Sequence, residues 1–419
     1  MDLYLIIIIA GYCLVSGFGY WLDYLNLVHL GKFGAVIPEE FEGHIDQDLL
    51  VKTSAYNIEN ARFGFVSSIF NNAAVLTFML VLLNIYNNWI KSLDLFFIAS
   101  GIVFFLLMTY AETLISMPFS LYHTFRIENR YGFNTMTFRL WIIDALKSLA
   151  VSTILLALLV SAGLYIIQKS PDLWWLWLWS FFLFFSIVMM YVAPYVIEPL
   201  FHKFSPIGDE SLESDIRGLM EKAGIKVSRV FKVDASRRTR HTNAYFTGIG
   251  RVKRIVLYDT LLETMDREEI LAVLAHEAGH WKKKHLLKHL VTSEVFALVI
   301  LYIAWHVLKN DMLSGIFHLT NGTFFSEAVL LGFVASILAF PLGPVFNYIS
   351  RRHEEEADRY SYEMTGSGEG MTGALVKLST DNLSNLHPHP LYALFHYSHP
   401  PVLQRIRAIK GFSRADSPD

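Results

Sequence analysis

His276 and His280 lie one helical turn apart in the run His276-Glu277-Ala278-Gly279-His280, which is followed by Trp281 and the basic residues Lys282, Lys283 and Lys284. On a helix, side chains four apart share a face, so both imidazoles can reach one cation while Glu277 sits beside an open coordination position. This is the minimal apparatus of a zinc hydrolase. Asp266, Glu268 and Glu269 precede it and read as the acidic first turn of the helix that carries it, in the sense the helix dipole favours.

Catalytic zinc takes three protein ligands and keeps one position for water, so a third donor must come from elsewhere in the chain. The best candidate is Glu354, in His353-Glu354-Glu355-Glu356-Ala357-Asp358. Glu354 and Asp358 share a helix face, which lets Glu354 ligate one zinc ion while Asp358 accepts a proton from a ligand imidazole and fixes its tautomer. His353, Glu355 and Glu356 are rivals for the ligand position. Water activated at that metal would lose its proton to Glu277 as general base and attack a polarised peptide carbonyl, and Glu277 would then protonate the leaving amine. The oxyanion needs a further donor, for which His399 in Ser398-His399-Pro400-Pro401 and Arg405 are the candidates. An extended peptide can be held as an added strand on an exposed sheet edge, and the run from Asn243 through Ala244 to Thr247 has the composition for such an edge or for an ordinary strand.

The chain around these residues is built for a bilayer. Of its 419 residues 53% are hydrophobic and 15% aromatic, beyond what a soluble domain carries. The single cysteine, Cys13, excludes an internal disulfide framework and a cysteine-held metal. A net charge of -3 gives no reason to expect a nucleic-acid partner. Seven apolar stretches, residues 3–20, 63–86, 95–121, 140–167, 173–197, 286–308 and 327–349, are each matched to a hydrocarbon core of about 30 Å. The first lacks a basic leader and a small-residue cleavage site, and reads as a retained membrane helix.

The expected fold is therefore mainly α, a polytopic membrane protein with a small α+β metalloprotease domain. Residues 1–198 form a membrane region of five helices, 199–285 a catalytic domain with strand-like runs at 230–233, 243–247 and 254–258, 286–349 the sixth and seventh spans, and 350–419 the rest of the catalytic domain. Lys32, Lys52, Arg62, Arg126, Arg130 and Arg139 lie in the first and third connections, whereas the opposite loops offer Lys91, Lys169 and Lys309. The positive-inside rule then makes the catalytic domain cytosolic and sends the N-terminus to the other side. Asn71, Asn72, Glu112, Asp144 and Lys147 lie within spans, where polar groups either pack against a partner or line a wet cavity. A non-enzymatic transporter or receptor is the reading from another class, and the metal motif argues against it.

Several further runs carry a family resemblance. They are Phe125-Arg126-Ile127-Glu128-Asn129-Arg130-Tyr131-Gly132-Phe133-Asn134, Glu198-Pro199-Leu200-Phe201, Asn243-Ala244-Tyr245-Phe246 and Tyr397-Ser398-His399-Pro400-Pro401, together with the metal motif and Glu354. The chain resembles the CAAX prenyl proteases, integral-membrane zinc endopeptidases. The resemblance implies a barrel of seven membrane helices around a large chamber. It implies His276, His280 and Glu354 as zinc ligands, Glu277 as base, Asn243 and Ala244 as the substrate edge, and His399 and Arg405 near the scissile carbonyl. The implied substrates are prenylated CAAX-type proteins or peptides, with a quality-control protease of membrane proteins as the alternative. The short loop at 309–326 and the absence of an endoplasmic-reticulum retrieval signal at the C-terminus look like a bacterial member. A monomer is expected, in a bacterial inner membrane, or in the endoplasmic reticulum if the source is eukaryotic.

Overall fold

The computed structural model describes residues 3–247, 252–310 and 312–415, so the tail read for a retrieval signal lies mostly outside the described residues. Seven helices are long and apolar enough to cross a membrane: α1 (Leu3–Phe33), α2 (Gln47–Ser92), α3 (Phe97–Tyr131), α4 (Phe138–Lys169), α5 (Trp174–Phe201), α9 (His285–Leu308) and α11 (Phe324–Thr365). Between α5 and α9 lie β1 (Phe204–Pro206), α6 (Glu210–Lys222), β2 (Lys226–Val233), β3 (Ala244–Thr247), β4 (Val252–Tyr258), α7 (Asp259–Thr264) and α8 (Arg267–Lys282). The short α10 (Met312–Ile316) joins α9 to α11, and α12 (Glu369–Asp381), α13 (Pro390–His396) and α14 (Val402–Ala415) complete the chain.

The spans extend well past their apolar stretches. Residues 47–62, expected as part of a polar connection, are helical and continuous with the second span. Their polar side chains are used at the junction with the rest of the protein: Tyr56 donates to Glu128 at 2.7 Å, Glu59 pairs with Arg130 at 2.9 Å, and Asn57 donates to the Leu383 carbonyl at 2.7 Å. Likewise the acid-rich segment around Glu354 continues α11, whose α-helical turns resume at Gly343 after one 3-10 turn at Phe340–Leu342. Pro118 and Pro194 do not end their helices. Wide π-helical turns follow Pro118 in α3, at His123–Glu128, and contain Pro194 in α5, at Ala193–Ile197, as expected where local adjustment accommodates missing backbone hydrogen bonds.

In chain order each span packs on the next, and α11 returns to α1, so the seven form a closed ring. One end of the ring is sealed by an apolar cluster that includes Leu5, Leu83, Phe104, Leu164, Phe325 and Phe333. Elsewhere the ring is hollow. No more than 17% of the apolar window of any span is buried within the protein, far less than a solid bundle requires. Glu112 and Ser116 lie on the same side of α3 as Gly101 and Phe105, against which Phe325 packs from across the ring, so they face the interior. Other intramembrane polar residues are packing groups instead. Asn72 accepts from Tyr12 at 3.0 Å and donates to Tyr20 at 2.7 Å, while Lys147 donates to the Leu200 carbonyl at 2.7 Å.

The sheet has the order β1-β2-β4-β3, with β2 and β4 parallel and the outer strands antiparallel to their neighbours. Ile216 and Met220 of α6, Ile255 and Leu257 of β4, and Leu274 and Ala278 of α8 form its core. Arg254 ties the sheet to α5: its guanidinium lies 4.3 Å from the ring centroids of both Phe204 and Phe231 and donates to the Pro194 carbonyl at 3.2 Å. Arg238 makes the second tie, a two-pronged pair with Asp144 at 2.8 and 3.2 Å. Both partners are largely buried, so Arg238→Ala leaves Asp144 with only Lys147, 3.9 Å away and half-exposed, and should cost about 1–3 kcal/mol, seen as a lower midpoint of thermal unfolding in detergent.

Candidate active site

Helix α8 starts firmly. The Asp266 carboxylate accepts the Glu269 amide at 3.0 Å, Glu269 accepts the Asp266 amide at 2.9 Å, and Lys377 of α12 donates to Glu269 at 2.6 Å. From this cap the helix runs across α11 at very close range. A Cβ on Gly279 would stand 3.0 Å from the Ala357 Cα and 3.1 Å from the Tyr360 Cβ, and Ala357 is fully buried. One turn above, Ser361 donates to the Ala272 carbonyl at 2.7 Å and holds the same crossing. Gly279 therefore does more than separate the two histidines, since a larger residue would push α8 off α11.

At that crossing three donors converge. His276 Nε2 lies 3.1 Å from His280 Nε2, 3.4 Å from Glu354 Oε2, and His280 Nε2 lies 3.2 Å from Glu354 Oε1. The ligand atoms of His276, His280 and Glu354 all fall within 4.8 Å of one another. Asp358 Oδ1 stands 2.8 Å from His276 Nδ1 and takes its proton, so Nε2 turns a lone pair toward the shared point. Glu354 Oε2 is buried, with only the His276 imidazole at 3.4 Å and Arg405 Nη1 at 3.6 Å beside it, both longer than a good hydrogen bond. Electron pairs aimed at each other in a buried site repel unless a cation occupies the centre, and this donor set suits a divalent metal. Burial pulls the His276 imidazole down, but hydrogen bonds to Asp358 and Glu354 carry it up to about 9. Burial likewise opposes ionisation of Glu354, yet hydrogen bonds from His276 and His280 hold its carboxyl far below the usual range. Glu277, next to His276 on α8, is raised by burial.

The remaining predicted residues are placed in different ways. Asp358 is clamped by Arg405 of α14, whose Nε and Nη2 donate to its two oxygens at 2.8 and 2.6 Å. The Arg405 Nη1 also lies 3.6 Å from Glu354 Oε2, so its charge balances the two buried carboxylates. His399 stands at the mouth of the site, with Nε2 3.4 Å from Glu354 Oε1 and a side chain 61% exposed. Asn243 precedes β3, the outer strand of the sheet, and its carbonyl accepts from the Tyr258 amide of β4 at 3.1 Å. Alternation along the strand then turns the carbonyl of Ala244 toward the free edge. The Ala244 amide is taken by the Asn243 side chain at 2.8 Å. Among the rivals for third ligand, Glu355 faces out and pairs with Arg352, Glu356 accepts from His285, and His353 stacks on the His285 ring. His285 was not singled out from the sequence. It follows the basic run Lys282, Lys283 and Lys284, and only the fold returns it to the site.

This fold and site have close counterparts. The CAAX prenyl protease 1 homolog of Arabidopsis thaliana is 34% identical over 398 residues, 90% of either chain. The chain belongs to the CAAX prenyl protease family. In agreement, a model described as CAAX prenyl protease N-terminal, five membrane helices, matches residues 26–203, and one described as peptidase family M48 matches residues 206–413. The CAAX prenyl protease 1 of Saccharomyces cerevisiae is 31% identical and covers 96% of this chain and 94% of its own. The crystal structure of S. mikatae Ste24p superimposes with a TM-score of 0.89 at 30% identity, covering 98% of this chain and 99% of that one. The protein is thus a multi-pass integral-membrane metalloendopeptidase. The family implies a bound metal, and His276, His280 and Glu354 would hold it.

Two outcomes test the geometry. Glu354→Ala should abolish stoichiometric metal, measured by elemental analysis of the purified protein, while Glu355→Ala retains it; the reverse pattern would move the third ligand. Gly279→Val, which forces α8 away from α11, should lower stability by about 1–3 kcal/mol and weaken metal retention even though no ligand is changed.

Proposed function

We propose that this protein is a zinc endopeptidase of the cytosolic membrane face that cleaves near the C-terminus of prenylated, CAAX-type proteins or peptides. The observation that carries this reading is the combination of an enclosed His276, His280 and Glu354 donor set with a hollow ring of spans beneath it. A hollow interior accommodates an apolar group that a soluble peptidase would have to leave in water, and the relatives named above are CAAX prenyl proteases. Imidazole and carboxylate ligands in a compact set of three suit zinc. The lysine and arginine bias of the first and third connections favours a cytosolic catalytic face, formed from residues 199–285 and 350–419.

The substrate chain lies along the free edge of β3, donating to the Ala244 carbonyl and pairing with the backbone of Phe246, with Asn243 setting the start of the strand and holding the Ala244 amide. Zinc held by His276, His280 and Glu354 would supply Lewis acidity there, polarising a carbonyl and lowering the pKa of water toward neutrality. Glu277 takes the proton from the attacking water and returns it to the departing amine. His399, at the open mouth of the site, donates to the developing oxyanion. Arg405 acts through Asp358 and Glu354, holding the first against His276 and compensating the charge of the second.

Glu277→Ala should keep its metal and lose peptidase activity by about 10²–10⁴-fold. An active Glu277→Ala protein would remove this mechanism. For specificity, a farnesylated CAAX peptide should be cleaved faster than its unprenylated twin and than an unrelated membrane-protein segment. Equal rates on all three would defeat prenyl recognition and favour a general membrane-protein peptidase.

A further inference from the structure

His276 has its carboxylate directly behind it; His280 does not. The Nδ1 of His280 faces the Nδ1 of His285 at 2.9 Å, and the Nε2 of His285 stands 3.0 Å from Glu356 Oε2. One assignment of protons satisfies this line when His280 Nε2 is a ligand. His280 Nδ1–H donates to the bare Nδ1 of His285, and His285 Nε2–H donates to the Glu356 carboxylate. The opposite assignment leaves His280 Nδ1 without a proton and turns the Nε2 proton toward the metal position.

The surrounding structure holds His285 in this role. It is 2% exposed, and the His353 ring stacks on it with centroids 4.0 Å apart and planes at 13°. The far nitrogen of that stack is anchored in turn, His353 Nδ1 lying 3.1 Å from His289 Nε2. Lys288 Nζ, 3.7 Å from Glu356 Oε2, steadies the terminal carboxylate. The turn that returns the chain to this point is unusual. Lys284 adopts φ 57, a left-handed conformation that disfavours a residue with a Cβ, and it lets α9 begin with His285 folded back beneath His280.

We propose that His285 is a positioning residue of the metal centre, linking His280 to Glu356 in a carboxylate–imidazole–imidazole relay that fixes the tautomer and ring orientation of His280. The two histidine ligands are thereby supported alike, His276 by Asp358 directly and His280 by Glu356 through one intervening ring. α11 supplies the ligand carboxylate Glu354 and the carboxylates behind the two imidazoles, Asp358 and Glu356. This inference rests on the reading of His276, His280 and Glu354 as the metal ligands.

The test is metal retention of the full-length protein in detergent, loaded with zinc and challenged with a chelator, with bound zinc followed by elemental analysis. If wild type holds no zinc, the metal reading itself fails. Given zinc on wild type, His285→Ala and Glu356→Gln should each weaken retention, by roughly 10–100-fold for His285→Ala and less for Glu356→Gln, as usual for partners behind a ligand. Glu356→Gln should add nothing in the His285→Ala background, because the relay is already cut, whereas two merely structural roles would add. Wild-type retention in His285→Ala, or an undiminished Glu356→Gln effect in the double variant, overturns the proposal. Should His285→Ala fail to fold, the comparison of Glu356→Gln with Glu355→Gln decides. Weakened retention in the first alone supports the relay, and equal behaviour of the two contradicts it.

Discussion

The closeness with which α8 crosses α11 is the constraint on which the rest of the structure depends. Gly279 against Ala357 sets it, and a hydrogen bond from Ser361 to the Ala272 carbonyl repeats it one turn away. At a usual interaxial distance of 8–10 Å set by larger side chains, Glu354 would stand too far from the two imidazoles to share an ion with them. At this distance, one face of α8 supplies the two imidazoles and one face of α11 supplies Glu354 and Asp358. Arg405 closes the arrangement from α14, so segments far apart in sequence meet at one buried point.

That assembly is coupled to the membrane region by covalent continuity as well as by packing. α11 is a single helix from its apolar start at Phe324 to its last polar turn at Thr365, and α9 begins directly beneath His280. The ring of spans thus does not merely anchor a peptidase. It holds α11, whose polar end supplies Glu354 and Asp358, and α9, whose first residue is His285, while the apolar cluster at the opposite end keeps the ring closed. Polar groups inside such a ring escape the cost of facing lipid, which accounts for Glu112 and Ser116 on the inner side of α3.

Much of this was legible because period and composition act locally. Histidines four residues apart share a face on a helix, and Glu354 with Asp358 repeats that logic, so the face that bears them could be read before their neighbours were known. The seven apolar stretches were equally plain, since the bilayer sets their length. What escaped depends on tertiary contacts. Residues 47–62 look like a polar connection, because Glu59 and Asn60 are satisfied by α3 and Asn57 by the C-terminal part rather than by water. His285 follows three lysines, and nothing local announces the left-handed turn at Lys284. Arg405 was expected beside the substrate carbonyl, while its guanidinium is engaged with Asp358, a pairing that no spacing in the chain encodes.

The central claim is that one metal ion is held between α8 and α11 by His276, His280 and Glu354. An anomalous difference map from zinc-loaded crystals, collected on either side of the zinc absorption edge, tests it most directly. The account predicts one peak at about 2.0–2.2 Å from His276 Nε2, His280 Nε2 and a Glu354 oxygen. A peak elsewhere, or a zinc ion at the histidines with Glu354 turned away, would contradict it.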